Sequence, residues 1–403
     1  MNGAIYFAPS GVTSVRIAYV YDVLYPFWKG GGERRIYEVA RRLSQRGHTV
    51  ELFGMKCWEV GSSIQSDGLA YRALSPAIEL FHNRGRRSIT QALLFGAHSW
   101  RLLKAGRFDV IDCGQWPYFH FLPARILSWF SSSSFVVSWY EVWGSHWFDY
   151  LGKPGIAGLA VERMFCRIPD RLIAVSEQTR TDLLAAGVRQ ENVTAIPNGI
   201  DYVGIRSVIP DQRRCDIVCC GRLKNHKNVD VLLRAIAVLK ESKPQIRAFV
   251  VGDGPAREDL LQLAGDLNLQ DNVTFTGALD DFEDVVRIMK GAKIFINAST
   301  KEGGGSITLF EANACGLPVV AVRCPNGIDP NLIVEGENGF FVDSLSPELL
   351  AAKAGRLLDN PGILSEISDK AMRMAARYDW EVITGEHEML YQALCESRSG
   401  AQA

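Results

Sequence analysis

The second half of the chain contains Ser299-Thr-Lys-Glu-Gly-Gly-Gly-Ser-Ile-Thr-Leu-Phe-Glu-Ala-Asn-Ala-Cys-Gly-Leu-Pro-Val-Val320, which follows the apolar run Ile294-Phe295-Ile296. That run has the length and the β-branched composition of a buried strand. Ser306 is a candidate N-cap of a helix that ends at Gly316, just before Pro318. Three glycines between strand and helix let the backbone approach a ligand closely. The stretch therefore predicts a strand, a ligand loop and a helix in succession.

A glycine loop that leads into a helix N-terminus is a site for an anion, because free backbone N–H groups and the helix dipole both favour negative charge there. Glu302 precedes the three glycines, and Glu311 follows them inside the predicted helix. Carboxylates that accept hydrogen bonds from hydroxyl groups thus flank a predicted phosphate site. Phosphate beside vicinal hydroxyls is the signature of a nucleotide sugar.

Strands and helices alternate on both sides of this unit, which predicts an α/β protein with two doubly wound domains. The alternation begins with a strand at Arg16–Tyr21, lapses through Pro210–Arg214 and then resumes. We therefore predict an N-terminal domain at 1–205 and a C-terminal domain at 206–380. A final helix at 381–403 is expected to pack back on the N-terminal domain.

Composition excludes several classes of protein. A net charge of −1 over 403 residues gives no general attraction to nucleic acid. Nine scattered cysteines without a CxxC pair or Cys/His cluster predict reduced thiols in a cytoplasmic protein, with neither a disulfide framework nor a zinc site. The sequence has no signal-peptide pattern and no apolar run long enough to span a bilayer. We expect a protein that is neither secreted nor membrane-spanning.

Residues 82–107 are basic and contain no acidic residue. Ile89, Leu93, Trp100 and Leu103 form an apolar stripe at helical spacing. A basic amphipathic helix can lie on an anionic membrane surface, and it can equally be an ordinary core helix with a solvated basic face. Both interpretations remain open at this point. The cations of the segment are Arg84, Arg86, Arg87, Arg101, Lys104 and Arg107.

The segment Trp139–Tyr150 has six aromatic residues among twelve and follows a predicted strand. Aromatic faces offer apolar platforms to sugar C–H bonds, and polar side chains between them can orient hydroxyls. Packing within the domain is the alternative. We predict an acceptor-binding role for four residues: Trp139, Glu141, Trp143 and His146.

Two further loops can face a phosphate. Arg222 and Lys227 lie five residues apart on a predicted strand-to-helix loop, which lets both cations converge on one anion. A diphosphate leaving group needs such neutralisation, because negative charge builds on it as the sugar bond breaks. In the first half, Gly30-Gly31-Gly32 precedes a helix predicted at Glu33–Gln45. That glycine loop is also a plausible special turn, since it is no dinucleotide fingerprint.

Several motifs resemble glycosyltransferase family 4 in their order and spacing, over a region from Arg16 to the C-terminal helix. They are Arg171-Leu-Ile-Ala-Val-Ser-Glu, Ile196-Pro-Asn-Gly-Ile-Asp201, Gly221-Arg-Leu with Lys227-Asn228, Val251-Gly-Asp-Gly-Pro255, Thr276-Gly277, and Glu302-Gly through Glu311-Ala to Gly316-Leu-Pro-Val-Val320. The resemblance implies the GT-B fold, with two Rossmann-like domains facing each other across a cleft. It also implies a retaining enzyme that uses a nucleotide sugar.

The resemblance further implies roles for individual residues. Arg222 and Lys227 would hold the donor diphosphate, and Glu311 would hydrogen-bond the ribose hydroxyls. Glu302 would surround the donor sugar and phosphate together with the N–H groups of the glycine loop. The other implied donor-binding residues are Gly31, Gly32, Asn198, Gly277, Leu279, Gly303, Gly304, Gly305, Ser306 and Ile307.

Two departures from the family pattern bear on catalysis. The segment between Glu302 and Glu311 is one residue longer than in the family pattern, which makes the role of Glu302 the less certain of the two. Tyr140 stands where many members carry a histidine after the strand. Tyrosine is a poor base near neutral pH, because its reference pKa is about 10. His146 follows six residues later, and the sequence does not indicate whether it substitutes.

The sequence as a whole predicts transfer of a hexosyl unit from a nucleoside diphosphate sugar to a hydroxyl of a glycan or lipid-linked saccharide. Retention of configuration is implied by the resemblance, with Arg222, Lys227, Glu302 and Tyr140 as the catalytic group. We expect no metal or other cofactor, no nucleic-acid partner, and a cytoplasmic protein; contact with the inner membrane face through residues 82–107 is one of the two interpretations left open.

Three alternative functions remain open. A nucleotide-sugar epimerase shares the two-domain architecture. A non-catalytic nucleotide-sugar-binding protein would fit Tyr140 and the irregular glycine loop. An NAD-dependent oxidoreductase is suggested only by Val251-Gly-Asp-Gly254, which lacks the third glycine of the dinucleotide fingerprint and is followed by Pro255.

Overall fold

The computed structural model describes residues 14–59, 61–82, 86–302 and 306–402. The chain divides into two compact units, of which the second runs from Asn198 to Trp380. The first comprises the residues up to Pro197 and those from Glu381 onward. The division precedes the predicted boundary at residue 205 because Ile205 is buried in the apolar core of the second unit.

The first unit contains a mainly parallel sheet of eight strands among its described residues, in the order β10-β9-β8-β7-β1-β2-β4-β3. Only β3 is antiparallel to its neighbour. A two-residue pair, β5 with β6, lies outside this sheet. The strands are β1 (Arg16–Val20), β2 (Thr49–Met55), β3 (Ser63–Ser66), β4 (Leu69–Ser75), β5 (Phe81–His82), β6 (Arg86–Arg87), β7 (Val110–Gly114), β8 (Ser134–Trp139), β9 (Arg171–Ala174) and β10 (Val193–Ala195).

The helices of this unit connect its parallel strands. The chain moves in one direction across the sheet from β4 to β7, β8 and β9, and in the opposite direction from β1 to β2. Because such crossovers are right-handed, the helices of the first set lie on one face of the sheet, and the β1–β2 helix lies on the other. The helix between β1 and β2 is α1 (Gly31–Gln45). The helices of the first set are α2 (Ile89–His98), α3 (Phe121–Ser131), α4 (His146–Leu151), α5 (Gly155–Phe165) and α6 (Glu177–Ala185).

The basic segment does not form the single amphipathic helix that residues 82–107 suggested. Helix α2 begins after Ser88, whose hydroxyl accepts a hydrogen bond from Gln91 N at 3.1 Å. The chain then tightens into a 3-10 turn at Ser99–Lys104. The hydroxyl of Ser99 donates to Phe95 O at 2.7 Å, a side-chain bond that competes with continuation of the helix.

The second unit contains a six-stranded parallel sheet, again counting described residues, in the order β13-β12-β11-β14-β15-β16. Apolar clusters cover both of its faces, as expected for a doubly wound sheet. The strands are β11 (Ile217–Cys220), β12 (Ala248–Val251), β13 (Val273–Gly277), β14 (Ile294–Asn297), β15 (Val319–Val322) and β16 (Gly339–Val342). The helices are α7 (Tyr202–Ser207), α8 (Val229–Ser242), α9 (Arg257–Asp266), α10 (Phe282–Gly291), α11 (Ile307–Ala314), α12 (Pro347–Leu358) and α13 (Pro361–Ala375).

The last helix, α14 (Trp380–Gln402), packs on the first unit through buried polar contacts as well as apolar ones. The hydroxyl of Tyr391 donates to Asp112 Oδ2 on β7 at 2.6 Å, and Arg42 on α1 pairs with Glu381 at 2.8 Å. Burial raises the pKa of Asp112 to about 6, although the hydrogen bond from Tyr391 opposes that rise. Neither α14 nor any other helix in the described ranges is both long and apolar enough to cross a membrane.

Candidate active site

The carboxyl edge of the second sheet carries a narrow crevice between two loops. Arg222 follows β11, and Lys227 ends a short 3-10 turn at Asn225–Lys227. Glu302 follows β14, which is the strand next to β11 in the sheet. Arg222, Lys227 and Glu302 all line this crevice. Ligands of open parallel sheets bind at this edge, so the crevice is the candidate site for an anion in this unit.

An ion pair occupies the crevice. Lys227 Nζ lies 2.8 Å from Glu302 Oε1, and Asn297 Nδ2 donates to the same oxygen at 3.1 Å. The Glu302 side chain is 8 % exposed, whereas that of Lys227 is 24 % exposed. The backbone N–H of Glu302 donates to Asn326 O at 2.9 Å. Glu302 is therefore held in place on both its backbone and its side chain, and it orients the ammonium group of Lys227.

Asn228 joins the two loops that carry this ion pair. It adopts a left-handed conformation with φ +48°, which asparagine tolerates better than most residues. Its side-chain amide donates to Ala298 O at 2.9 Å and to Thr300 Oγ1 at 3.2 Å. The backbone N–H of Thr300 donates to His226 O at 2.9 Å. These bonds fix the register between the loop of Lys227 and the loop of Glu302.

The glycine pair at the end of β12 serves close packing of loops. A Cβ atom on Gly252 would collide with the carbonyl of Gly221, and one on Gly254 would collide with that of Leu223. Gly252 also has φ +130°, which a side chain would strain. Both glycines thus support the loop that carries Arg222, and their packing accounts for the motif without a dinucleotide.

Helix α11 provides the N-terminus that the sequence predicted next to the glycine loop. Ser306 is its N-cap residue, and its buried Oγ atom has no hydrogen-bond partner among the residues that the structure describes. Ile307 is the first helical residue, and Glu311 lies one turn further on with 8 % of its surface exposed. The predicted donor contacts of Gly303, Gly304 and Gly305 lie outside the described residues.

Three other predicted donor-binding residues lie at different places in the second unit. Gly277 ends β13 with φ +72°, and its carbonyl accepts a hydrogen bond from Gly252 N at 3.0 Å. Leu279, two residues later, is partly buried against the apolar core. Asn198, which opens the unit, is buried with 8 % exposure.

In the first unit, Gly31 and Gly32 lie inside helix α1 rather than in a loop before it. The helix begins at Gly31, with Gly30 as its N-cap residue, two residues earlier than predicted. A Cβ atom on Gly32 would lie 3.1 Å from Cζ of Tyr140. The ring of Tyr140 therefore packs directly against the first turn of α1, and only glycine fits there without displacing it.

Hydrogen bonds to its backbone and burial of its hydroxyl fix Tyr140 beside α1. Gln115 Oε1 accepts hydrogen bonds from the backbone N–H groups of Tyr140 at 2.9 Å and Glu141 at 3.1 Å. The Tyr140 hydroxyl is buried, and no described residue forms a hydrogen bond with it. Burial raises the pKa of Tyr140 well above its ordinary value. The hydroxyl consequently keeps its proton and can donate a hydrogen bond, but it cannot act as a base near neutral pH.

The aromatic segment Trp139–Tyr150 is buried only at Trp139 and Trp147, and its other residues are partly or fully exposed. Trp139, predicted to bind the acceptor, is completely buried and packs on Tyr118 and Phe121, so it presents no surface to a ligand in this conformation. Glu141, Trp143 and His146 are partly exposed. His146 Nδ1 lies 3.2 Å from Asp149 Oδ2.

One buried carboxylate, Glu162 on α5, holds this segment. It accepts hydrogen bonds from Trp143 N at 2.9 Å, Gly144 N at 2.8 Å and Trp147 Nε1 at 3.3 Å. Only 1 % of Glu162 is exposed. The loop that bears Trp143 is therefore anchored from beneath by a residue whose role the sequence did not reveal.

Two family models match successive parts of the chain. The model described as "Glycosyltransferase Family 4" matches residues 29–202, and the one described as "Glycosyl transferases group 1" matches residues 206–377. The chain belongs to glycosyltransferase family 4. The resemblance seen in the sequence motifs is thereby confirmed.

Relatives of this family 4 chain include proteins with several stated activities. A D-inositol 3-phosphate glycosyltransferase of Thermobispora bispora is 26% identical over 91% of this chain and 90% of its own length. An uncharacterized glycosyltransferase of Methanocaldococcus jannaschii is 27% identical over 58% of this chain and 61% of its length. The D-inositol 3-phosphate glycosyltransferase of Acidothermus cellulolyticus is 30% identical over 53% of this chain and 51% of its own length. The alignments with the last two span little more than half of those relatives.

Solved structures confirm the GT-B fold of this family member. Anabaena HepE in complex with UDP superposes with a TM-score of 0.72 at 18% sequence identity, covering 94% of this chain and 100% of the other. Sucrose-phosphate synthase of Thermosynechococcus elongatus gives a TM-score of 0.74 at 19% identity, covering 95% and 100%. The expected α/β architecture is thus confirmed.

Three residues of this family 4 chain escaped the sequence interpretation. Asn297 hydrogen-bonds Glu302, Gln115 holds the backbone at Tyr140, and Glu162 anchors the aromatic loop. Asn297 and Gln115 could have been identified from the sequence, because each is a polar residue at the carboxyl end of an apolar strand. Glu162 could not, since a single acid in a helix is typical of a surface.

The described residues contain no group of three His, Cys, Asp or Glu side chains arranged to hold a metal ion. The positive groups of the crevice are instead Arg222 and Lys227, on the same loop. Between them runs Leu223, which is buried and fixes the loop against the apolar core. These two cations lie on the loop where the sequence predicts that a diphosphate binds.

Proposed function

We propose that the protein transfers a hexosyl unit from a nucleoside diphosphate sugar to a hydroxyl of a glycan or lipid-linked saccharide, with retention of configuration. The donor diphosphate binds Arg222 and Lys227, and Glu311 binds the ribose. The acceptor belongs to polysaccharide biosynthesis at the cell envelope, on the cytoplasmic side of the membrane. Family membership supports the transferase class. The donor, the acceptor, the retention of configuration and the location are what we propose.

The observation that carries this proposal is the Lys227–Glu302 ion pair at the carboxyl edge of the second sheet. A cation held at 2.8 Å by a nearly buried carboxylate is oriented before any ligand arrives. Preorganised charge at the position of a leaving group stabilises the transition state without reorganisation during the reaction. The bound UDP in Anabaena HepE supports a nucleotide as the ligand of this fold.

The proposed chemistry is a displacement on one face of the sugar ring. As the glycosidic bond to the diphosphate breaks, the departing phosphate oxygen accepts the proton of the attacking acceptor hydroxyl. Tyr140 does not take part as a base, because its pKa is raised by burial. It is available as a hydrogen-bond donor to the sugar. Arg222 and Lys227 balance the charge that remains on the diphosphate.

Thermal unfolding in the presence of UDP-, GDP- and ADP-sugars will identify the donor. We expect one nucleotide class to raise the melting temperature, because a ligand at about 100 times its dissociation constant adds about 2.7 kcal/mol to the free energy of unfolding. Lys227→Ala should abolish the shift without unfolding the free protein. A panel without any shift would contradict the proposed donor class.

Turnover distinguishes a transferase from the alternatives. Incubation of the protein with the stabilising donor and a panel of saccharide acceptors should give a glycosylated product that retains the anomeric configuration. Release of an epimerised sugar without an acceptor would identify an epimerase of the same fold. Donor binding without turnover across the acceptor panel would identify a binding protein.

We propose that transfer needs no metal ion, because Arg222, Lys227 and the α11 N-terminus supply the neutralising charge. Activity is expected to remain unchanged in excess EDTA and to be insensitive to added Mg²⁺ or Mn²⁺. The measurement is the initial rate of nucleoside diphosphate release after dialysis against chelator. Loss of turnover in EDTA that Mg²⁺ restores would overturn this part of the proposal.

A further inference from the structure

We propose that the first unit docks on an anionic phospholipid bilayer through one face, formed by α2, the 3-10 turn Ser99–Lys104 and α3. We call this surface the docking face. The sequence suggested membrane contact for residues 82–107 alone, and left open whether their apolar stripe is buried. The structure settles the position of the stripe and adds a second element, α3, to the surface.

The apolar stripe faces solvent instead of the core. Large apolar side chains of all three elements are exposed by between 38 % and 80 %: Ile89, Leu93, Trp100, Leu103, Trp129 and Phe130. Trp129 and Phe130 are the extreme cases, at 66 % and 80 %. They are adjacent at the C-terminal end of α3. Aromatic side chains this exposed mark an interaction surface, because they lie outside any core that the chain itself builds.

The three elements form one surface. The chain moves in the same direction across the sheet through β4, β7 and β8, so α2 with its 3-10 turn and α3 lie on the same face of the sheet. They are also in direct contact with each other, since a Cβ atom on Gly96 of α2 would collide with Phe119 just before α3. The exposed residues therefore belong to one helical layer.

The charge of this region matches an anionic partner. Between Leu80 and Trp139 the sequence contains seven arginine or lysine residues and only two acids, Asp109 and Asp112. Asp112 is buried within the unit, and Asp109 accepts a hydrogen bond from the backbone N–H of Arg16 at 2.7 Å. Three cations next to the apolar residues are exposed: Arg101, Lys104 and Arg107.

This combination fits a lipid surface better than a protein partner. Tryptophan and phenylalanine insert at the boundary between headgroups and acyl chains, while lysine and arginine beside them remain at the phosphates. Each cation near an anionic surface contributes about 1 kcal/mol. A symmetric contact between two copies would instead bring the cations of both faces together without acids to pair with them.

Flotation with lipid vesicles tests the docking face. Wild-type protein should float with vesicles of phosphatidylcholine and phosphatidylglycerol, but not with phosphatidylcholine alone, and high salt should release it. W129S/F130S should lower the partition coefficient by about tenfold or more, since two exposed apolar side chains are lost. K104E/R107E should abolish binding through charge, and Arg101 is kept because it donates a hydrogen bond to Leu74 O at 3.0 Å. Both substitutions leave the core unchanged, so the melting temperature should be that of the wild type.

Matched control variants distinguish binding through the docking face from nonspecific binding to vesicles. V203S/I209S removes apolar side chains of the second unit that are 71 % and 78 % exposed, and R234E/R373E reverses two exposed cations there. Both controls should bind vesicles like the wild type. Absence of wild-type binding to anionic vesicles, equal binding by W129S/F130S, or a dimer that W129S/F130S dissociates would each overturn the proposal. None of these results depends on glycosyl transfer.

Discussion

Replacing Lys227 by alanine should lower kcat/KM for the donor by about a hundredfold to a thousandfold, the loss typical of removing one preorganised stabilising group. The ammonium group lies at the carboxyl edge of β11, 2.8 Å from Glu302, where a diphosphate would meet it. Because that charge is worth most when negative charge builds on the leaving group, the loss should fall on kcat as well as on binding. Steady-state kinetics with varied donor measures both.

Lys224 provides a matched control on the same loop. It is exposed, lies three residues before Lys227, and does not line the crevice. Lys224→Ala should retain nearly all activity. Lys227→Arg should restore only part of it, since a planar guanidinium cannot take the place of a compact ammonium against Glu302. Equal activity of Lys227→Ala and Lys224→Ala would remove Lys227 from the donor site.

The pairing of Lys227 with Glu302 adds a second measurement. Glu302→Gln keeps an acceptor oxygen for Asn297 but removes the charge that orients the ammonium. If orientation of Lys227 is the main role of Glu302, then the double variant should be little worse than Lys227→Ala. Additive losses would show that Glu302 contacts the donor independently, because residues that act through each other are non-additive.

The fold was predictable from the sequence because its signals are local. The run that became β14 and the helix α11, which ends at Ala314 two residues before Gly316, are each specified by local residues. The same holds for the apolar spacing of α8. Alternation of such elements in parallel sheets has few solutions, so the two doubly wound domains followed from the pattern, whereas the GT-B fold was implied by the family resemblance.

The contacts within the site were not predictable, because they join distant residues. Lys227 and Glu302 are separated by 75 positions in the sequence. Nothing in the sequence around either residue indicates that the two side chains form an ion pair. Likewise, the stripe from Ile89 to Leu103 has a spacing that is identical for a buried and an exposed helix. Its exposure depends on what the rest of the unit packs against it. A pattern reports periodicity, whereas burial is a property of the whole fold.

Replacing Glu162 by alanine should lower the free energy of unfolding by about 3 to 5 kcal/mol, because several N–H donors lose their acceptor and each buried donor left unsatisfied costs about 1 to 3 kcal/mol. The N–H groups of Trp143, Gly144 and the Trp147 indole would lose an acceptor that is itself only 1 % exposed. Urea denaturation measures the change. Glu191→Ala, at a side chain 65% exposed in a surface ion pair, should cost less than about 1 kcal/mol.

The protonation state of Glu162 gives this prediction a pH dependence. Burial raises the pKa of Glu162 above its ordinary value, and the N–H groups of Trp143 and Gly144 only partly oppose the rise. The folded protein therefore binds a proton more tightly than the unfolded chain, so stability should fall as pH rises from the unfolded-state pKa through the folded-state value.

Glu162→Gln, a permanent analogue of the protonated acid, should lack that decline and should lose less stability than the alanine variant. If the two variants were equally unstable at every pH, the carboxylate would not be the acceptor that holds the loop. The partly exposed Trp143 is the predicted acceptor-binding residue on this loop. A loop released by Glu162→Ala should therefore raise KM for the acceptor while leaving donor binding unchanged, which separates the anchoring of the loop from the charge of the crevice.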